Sequence, residues 1–174
     1  MLTAPFIIGQ IIGIIAIVFG FISYQMKSQT KVLLLQVITS GLFCIHYFLL
    51  DATSGMTLNI IMLIRGIVYY FRSKYNWKEN VSPIIFAVIV LIVSVFSWQA
   101  WYSIFIVLGL LIHTLCMAMK SAQNVRKSIL ITSPLVLIYN VFVLSIGGIA
   151  YESIAVISSI IGIVKFNKKS KTDI

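Results

Sequence analysis

The sequence predicts an all-α integral membrane protein with seven transmembrane helices. Three observations carry that prediction. First, of 174 residues, 60% are hydrophobic and 10% charged, with a mean hydropathy of +1.07. A soluble domain usually carries about 25% charged and about 45–50% apolar residues, so an ordinary soluble globule and a disordered chain are both excluded. Second, the apolar residues lie in continuous runs. Backbone groups in lipid must pair within their own segment, so such runs mean helices, and the alternation of a barrel strand is absent. Third, the cations fall only in every second connection.

The spans are read at residues 5–25, 32–50, 56–71, 83–97, 101–119, 129–146 and 149–164. Crossing the hydrocarbon core takes about 20 mostly apolar residues, so the third, fourth and seventh are short. No Lys or Arg precedes the first span, so it lacks the basic leader of a signal peptide and is expected to be retained. Gly9, Gly13, Ala16 and Gly20 put small residues on one of its faces, a close-packing signal. The second span holds Gln36, Cys44, His46 and Tyr47, and the third holds Asn59 and Arg65. The fourth is a linker. Between the fourth and fifth, Trp98, Trp101 and Tyr102 suit an interfacial aromatic belt. The fifth carries Gly109, His113 and Cys116 at helical spacing. The sixth carries Pro134, Tyr139 and Asn140, and Pro134 removes one helix hydrogen bond. The seventh carries Glu152, Ser158, Ser159 and Gly162. The connections are too short for a soluble domain, so residues 1–174 form one membrane domain.

The formal net charge is +9, from 13 Lys+Arg and 4 Asp+Glu. In a soluble protein that excess would suggest nucleic acid. Here Lys27 and Lys31 follow span 1, and Arg72, Lys74 and Lys78 follow span 3. Lys120, Arg126 and Lys127 follow span 5, and Lys165, Lys168, Lys169 and Lys171 form the tail. The N-terminus and the other connections hold none. Short loops rich in Lys and Arg stay cytoplasmic. The expected topology is therefore N-terminus outside and C-terminus inside, with no nucleic-acid partner. The basic tail also suits contact with anionic lipid.

The chain repeats itself. A shift of 93 residues lays Met26-Lys27-Ser28 on Met119-Lys120-Ser121 and Thr39-Ser40 on Thr132-Ser133. It also lays Leu42 on Leu135, Ile45 on Ile138 and Gly55 on Gly148. Spans 1–3 (5–72) then map onto spans 5–7 (101–165), with span 4 (83–97) as the linker. Four spans separate the copies, an even number, so a parallel 3+1+3 arrangement is expected.

Polar side chains inside spans are costly and start as functional candidates. Asn59 and Glu152 are equivalent under the shift, each about one turn inside its span. Either they offer polar groups to a solute, or Glu152 reaches the interface and Asn59 bonds a neighbouring helix. Arg65 is the thirteenth cation and lies about 10 Å deeper than Arg72. Either it snorkels, or it is a counter-charge to Glu152 or to an anionic solute. His46 and His113 are the only histidines, and the shift sets His46 opposite Tyr139, with Asn140 beside it. They line a path or bond between helices. Gln10, Gln36 and Tyr47 complete the polar set. Neither histidine has an acid within a helix turn, and no HExxH, GxSxG or paired-carboxylate motif occurs, so an enzyme is not expected. Cys44 and Cys116 both lie inside spans and show no zinc spacing, so no disulfide, metal or cofactor is expected.

The chain also resembles a known family. Gly9-Gln10, Gly13 and Gly20, then Ile45-His46-Tyr47-Phe48-Leu49-Leu50, then Leu58-Asn59 and Ile64-Arg65 resemble the first half of the YgjV family of bacterial inner-membrane proteins. Tyr139-Asn140, Ser145-Ile146-Gly147-Gly148, Glu152 and Ile163-Val164-Lys165-Phe166 resemble its second half. The chain departs from the family pattern at Tyr139, where the family has His. More remotely it is similar to the SWEET, PQ-loop and PnuC groups, which move sugars, amino acids or vitamin precursors. The resemblance implies the bacterial cytoplasmic membrane, a pseudo-two-fold along the membrane normal and homo-oligomers. It implies a carrier of a small polar solute working by alternating access of the two repeats. SWEET relatives hinge on prolines in the first helix of each repeat, and spans 1 and 5 here have none after Pro5. The alternative is a receptor or accessory subunit that binds a ligand without moving it.

Overall fold

The computed structural model describes residues 4–49, 53–77, 81–96, 98, 100–119, 121–142 and 146–172. They form seven helices: α1 (Ala4–Tyr24), α2 (Gln29–Leu49), α3 (Thr53–Lys74), α4 (Val81–Phe96), α5 (Ser103–Met117), α6 (Ala122–Phe142) and α7 (Ile146–Thr172). Leu50, Lys78, Ser97, Gln99, Lys120 and Ser145 lie outside the described residues, as do the side chains of Leu58, Ile146, Lys168, Lys169 and Lys171. Four helical segments, Ala4–Tyr24, Gln29–Leu49, Ala122–Phe142 and Gly147–Asn167, are long and apolar enough to cross a membrane. At 21 residues each, they measure about 31 Å, close to the hydrocarbon thickness. Val81–Phe96 and Ser103–Met117 are apolar but shorter.

The helix ends differ from the expected spans at several points. α3 extends past both ends of the 56–71 run, and α7 continues well beyond residue 164 into the basic tail. Nothing apolar is needed there, because a helix keeps its own hydrogen bonds; among the described residues, α3 is not one of the helices apolar enough to cross a membrane. α5 begins later than expected: Tyr102 is its N-cap, and Trp101 stays in the preceding turn. α3 ends at Lys74, and in the turn after it Asn76 has a left-handed φ of 53°. The Trp77 amide there reaches back to the Arg72 carbonyl at 3.1 Å, the closure of a Schellman motif. α6 runs through Pro134.

The chain divides into two compact units, Met1–Trp77 and Lys78–Ile174. In the first, α2 packs on both α1 and α3. In the second, α6 packs on both α5 and α7, and α4 packs on α5. The linker helix therefore belongs with the second unit.

The faces are arranged for lipid. On α1 the buried face is Gly9, Gly13, Ala16, Gly20 and Ser23, while Ile8, Ile11, Ile14, Ile15 and Val18 are exposed. On α6 the buried face includes Arg126, Ser128, Thr132, Ser133 and Asn140. Small and polar groups predominate inside, beside Tyr24, Val125 and Ile129, and large apolar groups dominate the exposed face. That inverts a soluble protein and fits helices whose association rests on close contact and hydrogen bonds. Each main contact contains a glycine with no room for a side chain. A Cβ would lie 2.8 Å from His46 at Gly13, 3.0 Å from Val37 at Gly66, 2.8 Å from Val136 at Gly109 and 2.5 Å from Asn140 at Gly148.

Candidate functional site

In the first unit, polar groups follow the buried stripe of α2. His46 continues the face of Val32, Gln36 and Thr39, at steps of three, four and seven residues. Its Nδ1 lies 2.7 Å from the Gly9 carbonyl oxygen on α1. Its ring lies over Gly13 and is flanked by Phe43 and Tyr47, with ring centroids at 5.9 and 4.8 Å. Two to three turns along, Gln36 Nε2 donates to Ser23 Oγ at 2.7 Å, and Ser23 Oγ donates to the Gly20 carbonyl at 2.6 Å. Thr30 and Ser73 then join α2 to α3 by their hydroxyls at 2.8 Å.

Arg65 is 4% exposed, on the packed side of α3 beside Gly66. It lies near Tyr69 and Tyr24, both buried. Asn59 is half-buried. Six residues separate it from Arg65, about 9 Å along the axis and on another face. Gln10 is exposed, next to the buried Gly9. The first unit thus brings His46 to α1.

In the second unit, the α6–α7 contact is polar along its length. Asn140 is buried against Gly148, so close that a Cβ would lie 2.5 Å from its Oδ1. About two turns along α6, the Glu152 carboxyl of α7 interacts with Ser133. The geometry falls short of a formed bond, because the buried Ser133 Oγ has no hydrogen-bond partner. Ser158 and Ser159 are fully buried further along. At the far end, Gln123 donates to Asn167 Oδ1 at 2.8 Å, and Arg126, 1% exposed, donates to Gln123 Oε1 at 2.7 Å. The Arg126 guanidinium lies 4.5 Å from the Phe166 ring centroid.

Tyr139 is half-buried, and its ring faces Tyr102 at 6.0 Å. Phe142 stacks on Tyr102 at 5.4 Å and meets Trp101 at 4.9 Å. His113 is half-buried on α5, one residue from the buried Thr114, which bonds its own helix at Leu110. Cys116 on the same helix interacts with Ser128 of α6.

Sequence reasoning singles out Glu152 and Asn140, which share one seam, but misses two of its members. Ser133 serves there only as a repeat match, although its α6 position about two turns from Asn140 on the same face is readable. Arg126 counts among the loop cations, yet it is a buried packing residue. The signal is present in the Gln123–Arg126 spacing of three and in Phe166 at the family-like ending. Among the described residues, no three His, Cys, Asp or Glu side chains gather to hold a metal.

A family model described as Imp-YgjV, bacterial inner membrane protein, matches residues 7–170. Neither the curated proteins nor the solved structures contain a match.

Proposed function

The chain belongs to the Imp-YgjV family of bacterial inner-membrane proteins, and from that premise we propose that it carries a small polar solute across the membrane. The observation that supports this reading most is the Glu152–Ser133 pair. The Glu152 carboxyl and the buried Ser133 hydroxyl come together in the polar α6–α7 seam, and Ser133 Oγ has no hydrogen-bond partner there. Leaving such groups unfilled in a low-dielectric site costs free energy, and they are retained where a ligand completes them. Together with Asn140 they offer two acceptors and two kinds of donor, a set suited to hydroxyls, amides or an ammonium.

The reading includes seven spans, N-terminus outside, C-terminus cytoplasmic, and two copies of a three-helix unit related by the 93-residue shift. Support comes from contacts that recur at that shift. His46 meets Gly9 in the first unit, and Tyr139 meets Tyr102 in the second. Val32 and Val125 are both fully buried, as are Thr39 and Thr132 nearly so. Thr30 bonds Ser73, and Gln123 bonds Asn167, one residue out of register. Two such units suit alternating access, in which each presents its polar groups to either side in turn. The role is that of a carrier and not an enzyme.

The test is uptake of labelled ribose, uridine and nicotinamide into proteoliposomes, against protein-free liposomes. Uptake of any one above the control supports transport. A solute that raises the melting temperature without entering the vesicles supports a receptor instead.

A further inference from the structure

The geometry points to His46 Nε2 as a preset hydrogen-bond acceptor for the carried solute, which makes that solute a hydrogen-bond donor through hydroxyl or N–H groups. The inference rests on the transport reading and extends it to the first unit.

The tautomer follows from the partner. A carbonyl oxygen has no proton to give, so at 2.7 Å from the Gly9 oxygen it is Nδ1 that carries the hydrogen. A neutral imidazole has one ring proton, so Nε2 keeps its lone pair. The ring cannot readily turn over. The Gly9 carbonyl holds one edge, the backbone at Gly13 lies close enough that a Cβ would sit 2.8 Å from Nδ1 and 2.9 Å from Cε1, and Phe43 and Tyr47 flank it.

Nε2 has no hydrogen-bond partner among the described residues, and it is not one of the atoms sealed in the core. It does not belong to the lipid-facing stripe either. That stripe on α2 is Leu34, Ile38, Ile45 and Phe48, all exposed. His46 stands about 100° round the helix from Ile45, and two turns from the buried Thr39 on nearly the same line. An open acceptor on the packed side of a membrane helix takes the donor that reaches it, water when no solute is bound. A hydroxyl or N–H from a solute satisfies it, whereas an ether, ester or carboxylate oxygen does not.

The test is solid-state NMR of histidine-labelled protein in liposomes. The sequence has two histidines, so H113Q leaves His46 as the sole signal. The expected spectrum has a protonated Nδ1 and a bare Nε2, and the ring receives magnetisation from water in a water-edited experiment. A proton on Nε2, or transfer from lipid chains without transfer from water, overturns the inference. If H113Q does not fold, subtracting the H46N spectrum from that of the wild type isolates the same signals. The readout is independent of flux. A protein that passes both tests but carries no probe solute counts against transport alone. A working carrier whose His46 fails either test overturns this inference alone.

Discussion

His46 and Gly13 occupy one space: the imidazole of α2 fills the volume that a Cβ on α1 would need, 2.8 Å from Nδ1. The absence of a side chain at residue 13 is what lets the ring reach the Gly9 carbonyl. Gly13→Ala should therefore displace the ring and break that bond, at a cost of about 1–3 kcal/mol. Removing the ring relieves the clash, so Gly13→Ala should cost much less in a His46→Ala background. A thermal-unfolding double-mutant cycle measures this, and additive effects would contradict the contact.

Two adjacent glycines should behave oppositely. A Cβ on Gly148 would meet Asn140 at 2.5 Å, whereas one on Gly147 meets nothing within 4 Å. Gly147→Ala should be neutral or stabilise by up to about 1 kcal/mol, because alanine is the better helix former. Gly148→Ala should destabilise by about 1–3 kcal/mol by driving Asn140 from its place. Equal melting temperatures for the two variants would show that the α6–α7 approach is looser than described.

The Gln36–Ser23 bond is buried and joins α2 to α1 at 2.7 Å. Interhelical bonds in membranes average about 0.6 kcal/mol and reach about 1.7 kcal/mol. Gln36→Leu and Ser23→Ala should each destabilise, with a coupling in that range. A coupling of zero in the double variant would mean that the two side chains act separately.

Arg126 should resist conservative replacement. Its guanidinium lies over Phe166 and bonds Gln123. Lysine keeps the charge but not the planar face that stacks on the ring. Arg126→Lys should cost about 1–2 kcal/mol, and Phe166→Leu should cost less once Arg126 is already lysine. If Arg126→Lys unfolds at the wild-type temperature, the residue acts as a loop cation after all.

The helices themselves are legible in the sequence because continuous apolar runs have one physical cause, the exclusion of unpaired backbone groups from hydrocarbon. The α1 stripe of Gly9, Gly13, Ala16 and Gly20 reads as a packing face and is buried. The helix ends are less legible. α3 and α7 extend past their apolar runs because a helix holds its backbone hydrogen bonds whether or not its side chains are apolar. The site is legible only in part. Glu152 and Asn140 stand out as polar residues in apolar surroundings. Ser133 does not, because a serine in a membrane helix usually bonds its own backbone and signals little. Arg126 is hidden by its company among Lys120 and Lys127: the Gln123–Arg126 spacing of three is readable, but it stands out only once the helix is seen to start at Ala122.

Whether the Glu152–Ser133 seam handles a solute is read from proteoliposome uptake by Glu152→Gln. The substitution keeps the volume and replaces the acid by an amide. Whichever of ribose, uridine or nicotinamide the wild type carries, its uptake should fall about tenfold, the effect of losing about 1.4 kcal/mol of interaction, with the melting temperature nearly unchanged. Ser133→Ala should lower it by a smaller factor. Uptake by Glu152→Gln equal to that of the wild type would contradict the account.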